Sequence, residues 1–226
     1  METNNVRPGT VDEGLMRLLD EVLERHPSGV IAGGAVLGLW GFPWADVDLF
    51  LPRRDWERLV DRWSLSPRDR TAAIGGLNII AFPEPVTPTS VVGSFDLTPI
   101  AVAYIGGGEV MAPVEAVWDL IAGRIGLLPW ALPAGNVASH RVLLRAERLH
   151  WKTGWPFTPR LEALLRDILS GEWRARRFRF TPVEVPCETV RCRELPVAER
   201  RPPYLDIRTL VTCPLPTTVD DRRPGL

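Results

Sequence analysis

Two glycines at the end of a short apolar run are the feature that most restricts how this chain can fold. Residues 29–32 predict a short buried strand, which Gly33 and Gly34 follow directly. Residues 35–39 then predict one or two helical turns. A strand that passes through two glycines into a helix exposes backbone N–H groups at the positive end of the helix dipole, where phosphate binds well. The pattern therefore predicts an α/β fold with a phosphate site at this turn, and a simple turn is the alternative.

A pair of aspartates follows in a strand-like segment. Asp46 and Asp48 belong to residues 46–51, whose alternation predicts a strand with both carboxylates on one face. Carboxylates this close repel each other, a cost that is normally tolerated when a hard divalent cation lies between them. Phosphoryl and nucleotidyl transfer need a phosphate site beside such a cation. The spacing therefore predicts a Mg²⁺ or Mn²⁺ site at Asp46 and Asp48, and a solvated strand face is the alternative.

A third aspartate, Asp96, lies inside an apolar stretch. Residues 94–105 predict a strand, and a carboxylate within it is costly to bury unless it is paired or binds a metal. We therefore expect Asp96 to be a third acid of the same site. The alternative is a carboxylate that accepts backbone hydrogen bonds in a turn.

These features together resemble the DNA polymerase β-type nucleotidyltransferase superfamily, whose pattern is Gly-Gly or Gly-Ser, a short spacer, Asp-x-Asp and a later strand aspartate. The match covers residues 29–154. The sequence is most similar to the small nucleotidyltransferase-like proteins encoded by phages and large viruses. The resemblance implies an α/β (α+β) fold, with a short mixed sheet and flanking helices.

The resemblance also implies a role for each site residue. Gly33 and Gly34 would hold the triphosphate of a nucleotide, and Asp46 and Asp48 would bind Mg²⁺. Asp96 would complete the shell of the catalytic metal and help to deprotonate the attacking hydroxyl. The implied reaction is metal-dependent transfer of a nucleoside monophosphate from an NTP, ATP by default, with release of pyrophosphate.

The sequence leaves the acceptor open. It could be an RNA end such as that of a tRNA, a protein side chain, or a small molecule. Two other functions remain as alternatives: a non-catalytic binding or assembly protein of the same fold, and a toxin–antitoxin component.

Four basic residues share one face of the helix predicted over residues 136–152. They are spaced by four, three and four positions, which aligns them on an α-helix: Arg141, Arg145, Arg148 and Lys152. Beside an acidic metal site this face could bind a triphosphate or the phosphates of an acceptor, and we assign Arg145, Arg148 and Lys152 to the nucleotide. A solvated surface is the alternative.

Other local patterns predict the remaining elements. Thr10 and Glu13 have the spacing of a capping box that would begin the first helix. The glycines at 106–108 predict a hairpin turn. Further helices and strands are expected at residues 55–63, 77–82, 109–112, 113–122 and 159–170.

The chain divides into three parts: a core at residues 1–112, which the resemblance implies is a nucleotidyltransferase core, a helical segment at 113–171, and an arm at 172–226 that composition marks as Pro- and Arg-rich. Because proline removes ladder hydrogen bonds, we expect the arm to stay outside the core. It would wrap the domain, mediate self-association, or present its arginine cluster to an anionic acceptor: Arg174, Arg176, Arg177 and Arg179.

Charge and hydropathy limit the partners and the compartment. The net charge of −1 argues against a protein that binds nucleic acid over its whole surface. The sequence contains no apolar run long enough for a membrane span and no hydrophobic leader. Three cysteines do not make a disulfide framework. We therefore expect a cytoplasmic protein without a membrane partner.

Overall fold

The computed structural model describes residues 10–63, 71–74, 76–173 and 181–202. These residues form a seven-stranded sheet from β1 (Val30–Ala32), β2 (Val47–Pro52), β3 (Thr71–Ile74), β4 (Leu77–Phe82), β5 (Ala103–Gly106), β6 (Glu109–Pro113) and β7 (Cys187–Arg191). The strand order is β3-β4-β2-β1-β5-β6-β7. β2 and β4 pair in parallel, and the other pairs are antiparallel. The mixed sheet confirms the predicted fold class.

Seven α-helices flank this sheet in the described part of the chain. They are α1 (Glu13–Arg25), α2 (Gly34–Gly38), α3 (Arg53–Trp63), α4 (Pro88–Gly93), α5 (Val114–Ala122), α6 (Ser139–Thr153) and α7 (Pro159–Ser170). The predicted bounds of α7 and the glycine hairpin turn are confirmed. Among the described residues no helix has the length and hydropathy that a membrane crossing requires.

The first helix begins differently from its prediction. Asp12, and not Thr10, is the N-cap residue, because its Oδ1 accepts hydrogen bonds from the N–H groups of Gly14 at 3.0 Å and Leu15 at 2.9 Å. An aspartate at this position satisfies two backbone donors that a helix start leaves open. The predicted capping box from Thr10 to Glu13 is therefore wrong.

The long strand expected at residues 94–105 is also wrong. Pro88 is at the start of α4, where Thr87 and Ser90 form a capping box. A 3-10 helix at Thr98–Ile100 follows, and only Ala103–Gly106 pairs as a strand. Residues 90–104 are all buried, so this stretch lacks the polar face that would have distinguished short helices from a strand.

The described part of the C-terminal arm belongs to the core, contrary to expectation. β7 extends the sheet by pairing antiparallel with β6, from Glu109 opposite Arg191 to Pro113 opposite Cys187. The prolines of this segment flank β7 and do not interrupt it. We call residues 181–202 the C-terminal strap. Its buried apolar side chains are Val185, Cys192 and Leu195. The predicted arginine cluster at 174–179 lies outside the described residues.

Candidate functional site

Asp48 lies on β2 in register with Asn78 of the parallel strand β4. The Nδ2 of Asn78 donates a hydrogen bond of 2.6 Å to Oδ1 of Asp48. Burial raises the pKa of the half-buried Asp48 carboxyl, and the Asn78 hydrogen bond opposes this shift. The charge of Asp46 also raises this pKa, while Arg145 and Lys152 lower it. The carboxylate therefore lies between another acid and two cations.

Gly33 brings the backbone close to Oδ2, the Asp48 oxygen that does not accept the hydrogen bond from Asn78. Its φ of 95° lies in the left-handed region, which favours glycine. A side-chain carbon at Gly33 would lie 3.2 Å from Oδ2 of Asp48 and 3.7 Å from the ring of Phe95. One oxygen of Asp48 is thus held by Asn78, and the other faces the glycine turn.

Gly34 connects the same turn to the basic helix. A side-chain carbon there would lie 3.9 Å from Nζ of Lys152 on α6. The glycine turn therefore has both the Asp48 carboxylate and the Lys152 ammonium close to it. α2 itself has five residues, so the cations of α6 contribute more positive charge here than so short a helix can.

Asp96 is fully buried and has an arginine as its partner. The Nη1 of Arg145 lies 2.9 Å from Oδ2 of Asp96, whereas Oδ1 has no hydrogen-bond partner among the described residues. Burial raises the pKa of Asp96, and the Arg145 guanidinium opposes that shift, as do the backbone N–H groups of Asp96 and Leu97. A buried carboxylate requires a partner here, as the sequence predicted, although it lies in a turn and not in a strand.

A cavity of about 580 Å³ opens between the sheet and α6. Asp48 and Asn78 line the sheet side, and Arg141, Arg145 and Arg148 line the helix side. Pockets of this size commonly hold a small-molecule or nucleotide ligand. Asp48 lies on one wall and the arginines lie on the other, so the cavity suits a phosphate ligand that binds together with a metal cation.

The structure brings most of the predicted site together but does not gather its three acids at one point. Gly33, Gly34 and Lys152 surround Asp48, as described above. Asp46 is exposed and precedes β2, and Asp96 lies behind Arg145. No group of three or more His, Cys, Asp or Glu residues in the described ranges could hold a metal ion. The expected cluster of three carboxylates is therefore not formed.

Two site residues have no signal in the sequence pattern. Asn78 is one polar residue in a strand, and its contact with Asp48 depends on the pairing of β2 with β4. Phe95 reads as a core residue, but its ring faces both Gly33 and, at a centroid distance of 5.9 Å, Phe50. Both contacts join residues that are distant along the chain.

Replacing Arg145 by alanine should destabilise the fold by about 3 to 5 kcal/mol at neutral pH, because it leaves the Asp96 charge buried and unpaired. The pKa of Asp96 is already raised in the folded state. The loss should therefore shrink as the pH falls, because protonation then removes the buried charge, and grow as the pH rises through the folded pKa. Urea unfolding at several pH values measures this dependence.

The pair Arg145→Ala and Asp96→Asn provides the control. If the ion pair carries the effect, the double variant should unfold at a higher urea concentration than Arg145→Ala alone. Equal stability of the two variants at every pH would contradict the assignment.

Comparison with known proteins supports the fold. No protein-family model matches the chain, and a search of curated proteins finds no match. Among solved structures, a Thermotoga maritima CCA-adding enzyme complexed with tRNA has a TM-score of 0.50 at 20% identity, over 72% of this chain and 43% of that one. A CCA-adding enzyme with CTP has a TM-score of 0.51 at 23% identity, again over 72% and 43%. The chain spans less than half the length of these enzymes, and the likeness is one of fold.

Proposed function

We propose that this protein is a metal-dependent nucleotidyltransferase, which transfers a nucleoside monophosphate from an NTP to a hydroxyl group and releases pyrophosphate. The observation that carries the proposal is the position of Asp48 against the glycine turn, with Lys152 beside the same turn and Arg145 on the helix side of the cavity that Asp48 lines. The fold supports it, because two solved structures that share the fold are CCA-adding enzymes. ATP is the proposed donor, because it is the most abundant NTP.

The residues at the site fit a divalent cation. Asp46 and Asp48 supply the hard oxygen ligands that Mg²⁺ and Mn²⁺ prefer, and the hydrogen bond from Asn78 leaves Oδ2 of Asp48 facing the glycine turn. When bound, the cation would neutralise the charge of the triphosphate and favour attack by a hydroxyl. Asp46 and Asp48 are therefore the proposed metal ligands.

The chain's own cations would bind and orient the triphosphate. Lys152 lies beside the glycine turn and Arg145 lines the cavity, whereas Arg148, which the helical period grouped with them, is exposed. Arginine and lysine bind phosphate through charge-assisted hydrogen bonds. Phosphoryl transfer depends mainly on positioning and on the stabilisation of charge, which is what these side chains would provide.

Of the alternative functions, the non-catalytic assembly protein would use the C-terminal arm to wrap a neighbouring subunit. The described strap bonds to its own domain: the N–H of Ala198 donates to the carbonyl of Leu120 at 2.9 Å and that of Arg201 to Thr153 at 2.7 Å. The backbone of the strap is therefore hydrogen-bonded to its own chain at these two positions.

Turnover of an NTP, measured as pyrophosphate release with candidate acceptors, tests the proposal, and Asp96→Asn separates two roles for Asp96. As a third acid, acting through its unpartnered Oδ1, Asp96 would act in the transition state. The variant should then lose about a hundredfold or more in turnover and keep most of its NTP affinity. If Asp96 instead only anchors Arg145, the variant should mainly lose NTP affinity. Unchanged turnover and unchanged affinity would contradict both roles.

A further inference from the structure

The basic face of α6 divides into an inner and an outer row. Arg145 and Lys152 form the inner row: they are half-buried, and they reach Asp96 and the neighbourhood of Gly34. The outer row is exposed and occupies a single sector of the helix, since its members are spaced by three, four and three residues: Arg141, Leu144, Arg148 and Trp151.

The outer row begins in the cavity and leaves it along the helix surface. Arg141, Leu144 and Arg148 line the cavity, and Trp151 continues the row beyond it. At 1.5 Å per residue the row is about 15 Å long. It is therefore a continuous strip that leads from the cavity along the exposed surface of the helix.

The composition of the strip indicates what it binds. Leu144 is 50% exposed and Trp151 is 55% exposed, so both are open to a ligand on the same side of the helix as the two arginines. The two arginines on the same strip attract phosphates, and Arg148 makes no ion pair with any described residue. An aromatic ring beside a line of cations is the surface that binds unpaired bases and their backbone.

We propose that the outer row of α6 is the binding strip for the acceptor, and that this acceptor is the 3′ end of a single-stranded polynucleotide. Arg141 and Arg148 contact successive phosphates, and an unpaired base stacks on Trp151. A small-molecule acceptor would leave most of the strip unused, and the strip has no acceptor groups for the backbone of a peptide. The inference rests on the proposed function only in calling the strand an acceptor, because binding itself needs neither metal nor NTP.

The test is equilibrium binding of a 5′-labelled single-stranded RNA of about twelve nucleotides, measured by fluorescence anisotropy in the full chain. Trp151→Ala should weaken binding about 5- to 150-fold, the range for loss of one stacked base, with an unchanged salt dependence. Arg148→Ala should lower the slope of log affinity against log salt by about 0.7, the value for one lost phosphate contact on a single strand.

Two variants elsewhere provide matched controls. Trp118 on α5 is 66% exposed and lies outside the cavity lining, so Trp118→Ala removes an indole that is somewhat more exposed than that of Trp151. Arg17 on α1 is exposed, so Arg17→Ala removes one surface charge. Neither control should change the affinity for the strand or the salt slope.

Further arms identify the ligand. An RNA duplex of the same sequence should bind more weakly than the single strand, because its bases are already stacked, and a DNA strand shows whether the sugar matters. Equal effects of Trp151→Ala and Trp118→Ala, or duplex binding as tight as that of the single strand, would overturn the inference. Strand binding without NTP turnover would retain the strip and reject the transferase. Transfer to a small hydroxyl compound without strand binding would support the transferase and reject the strip as the acceptor site.

Discussion

Replacing both Asp46 and Asp48 by asparagine should lower nucleotidyl transfer by about a thousandfold or more, because the change removes the proposed metal ligands and the charge that complements the bound cation. Isothermal titration with Mn²⁺ and a non-hydrolysable NTP should show a matching loss of metal affinity. The fold should survive, because Asp46 is exposed and Asp48 is half-buried. Asparagine at position 48 also removes a carboxyl whose pKa burial raises, so no charge remains to be partly buried there.

A second pair of carboxylates provides the control for this change. Glu162 and Asp167 lie on α7 and do not line the cavity. Glu162→Gln with Asp167→Asn removes the same charge from the surface. This control should bind Mn²⁺ as the unmodified protein does. Equal Mn²⁺ affinity in the Asp46, Asp48 variant and the unmodified protein would contradict the proposed metal site.

The sequence predicts the centre of the site because that part is local. Gly33 and Gly34 follow a buried strand, and the Asp46 and Asp48 spacing requires only the next strand. The structure places Asp48 against Gly33 through the antiparallel pairing of β1 with β2, in which Ile31 lies opposite Leu49. Elements that are adjacent in the chain are usually neighbours in the sheet, so this contact follows from pattern alone.

Local sequence patterns do not predict the side chains that contact Asp48 and Asp96. The ion pair of Asp96 with Arg145 joins residues 49 positions apart, and the hydrogen bond of Asp48 with Asn78 spans 30 positions. Both depend on how distant elements pack. The helical period placed Arg145 on a basic face, but periodicity does not show which basic residue turns inward to a buried carboxylate.

Proline density does not predict that the strap joins the sheet, because it averages over an arm in which proline affects single positions. Proline excludes a residue from a central strand ladder, but it does so one position at a time. Pro186 and Pro196 lie on either side of β7 and leave Cys187–Arg191 free to pair. Side-chain contacts also secure the strap: Trp155 Nε1 donates to the carbonyl of Glu199 and Asn136 Nδ2 to that of Thr181, both at 2.9 Å.

A chain that ends at Gly171 should therefore fail to fold stably, whereas a chain that ends at Pro202 should fold. Removal of the strap loses the burial of Val185 and Leu195, each worth roughly 1.5 to 3 kcal/mol, and also the burial of the smaller Cys192. It also leaves β6 as an unpaired edge. The total is comparable with the 5 to 15 kcal/mol that stabilises a typical domain.

A point variant tests the same contact without deleting any residue. A side-chain carbon on Gly93 at the end of α4 would collide with the carbonyl oxygen of Val183, so Gly93→Ala should displace the strap from the full-length chain. We expect urea unfolding to show a loss of about 2 kcal/mol or more, as for overpacking in a core. If the chain that ends at Gly171 and the Gly93→Ala variant both unfold like the unmodified protein, the strap is no part of the core. If Gly93→Ala unfolds like the unmodified protein but the shortened chain does not, the pairing of β7 with β6 carries the stabilisation. The deletion removes that pairing, whereas the point variant leaves it in place.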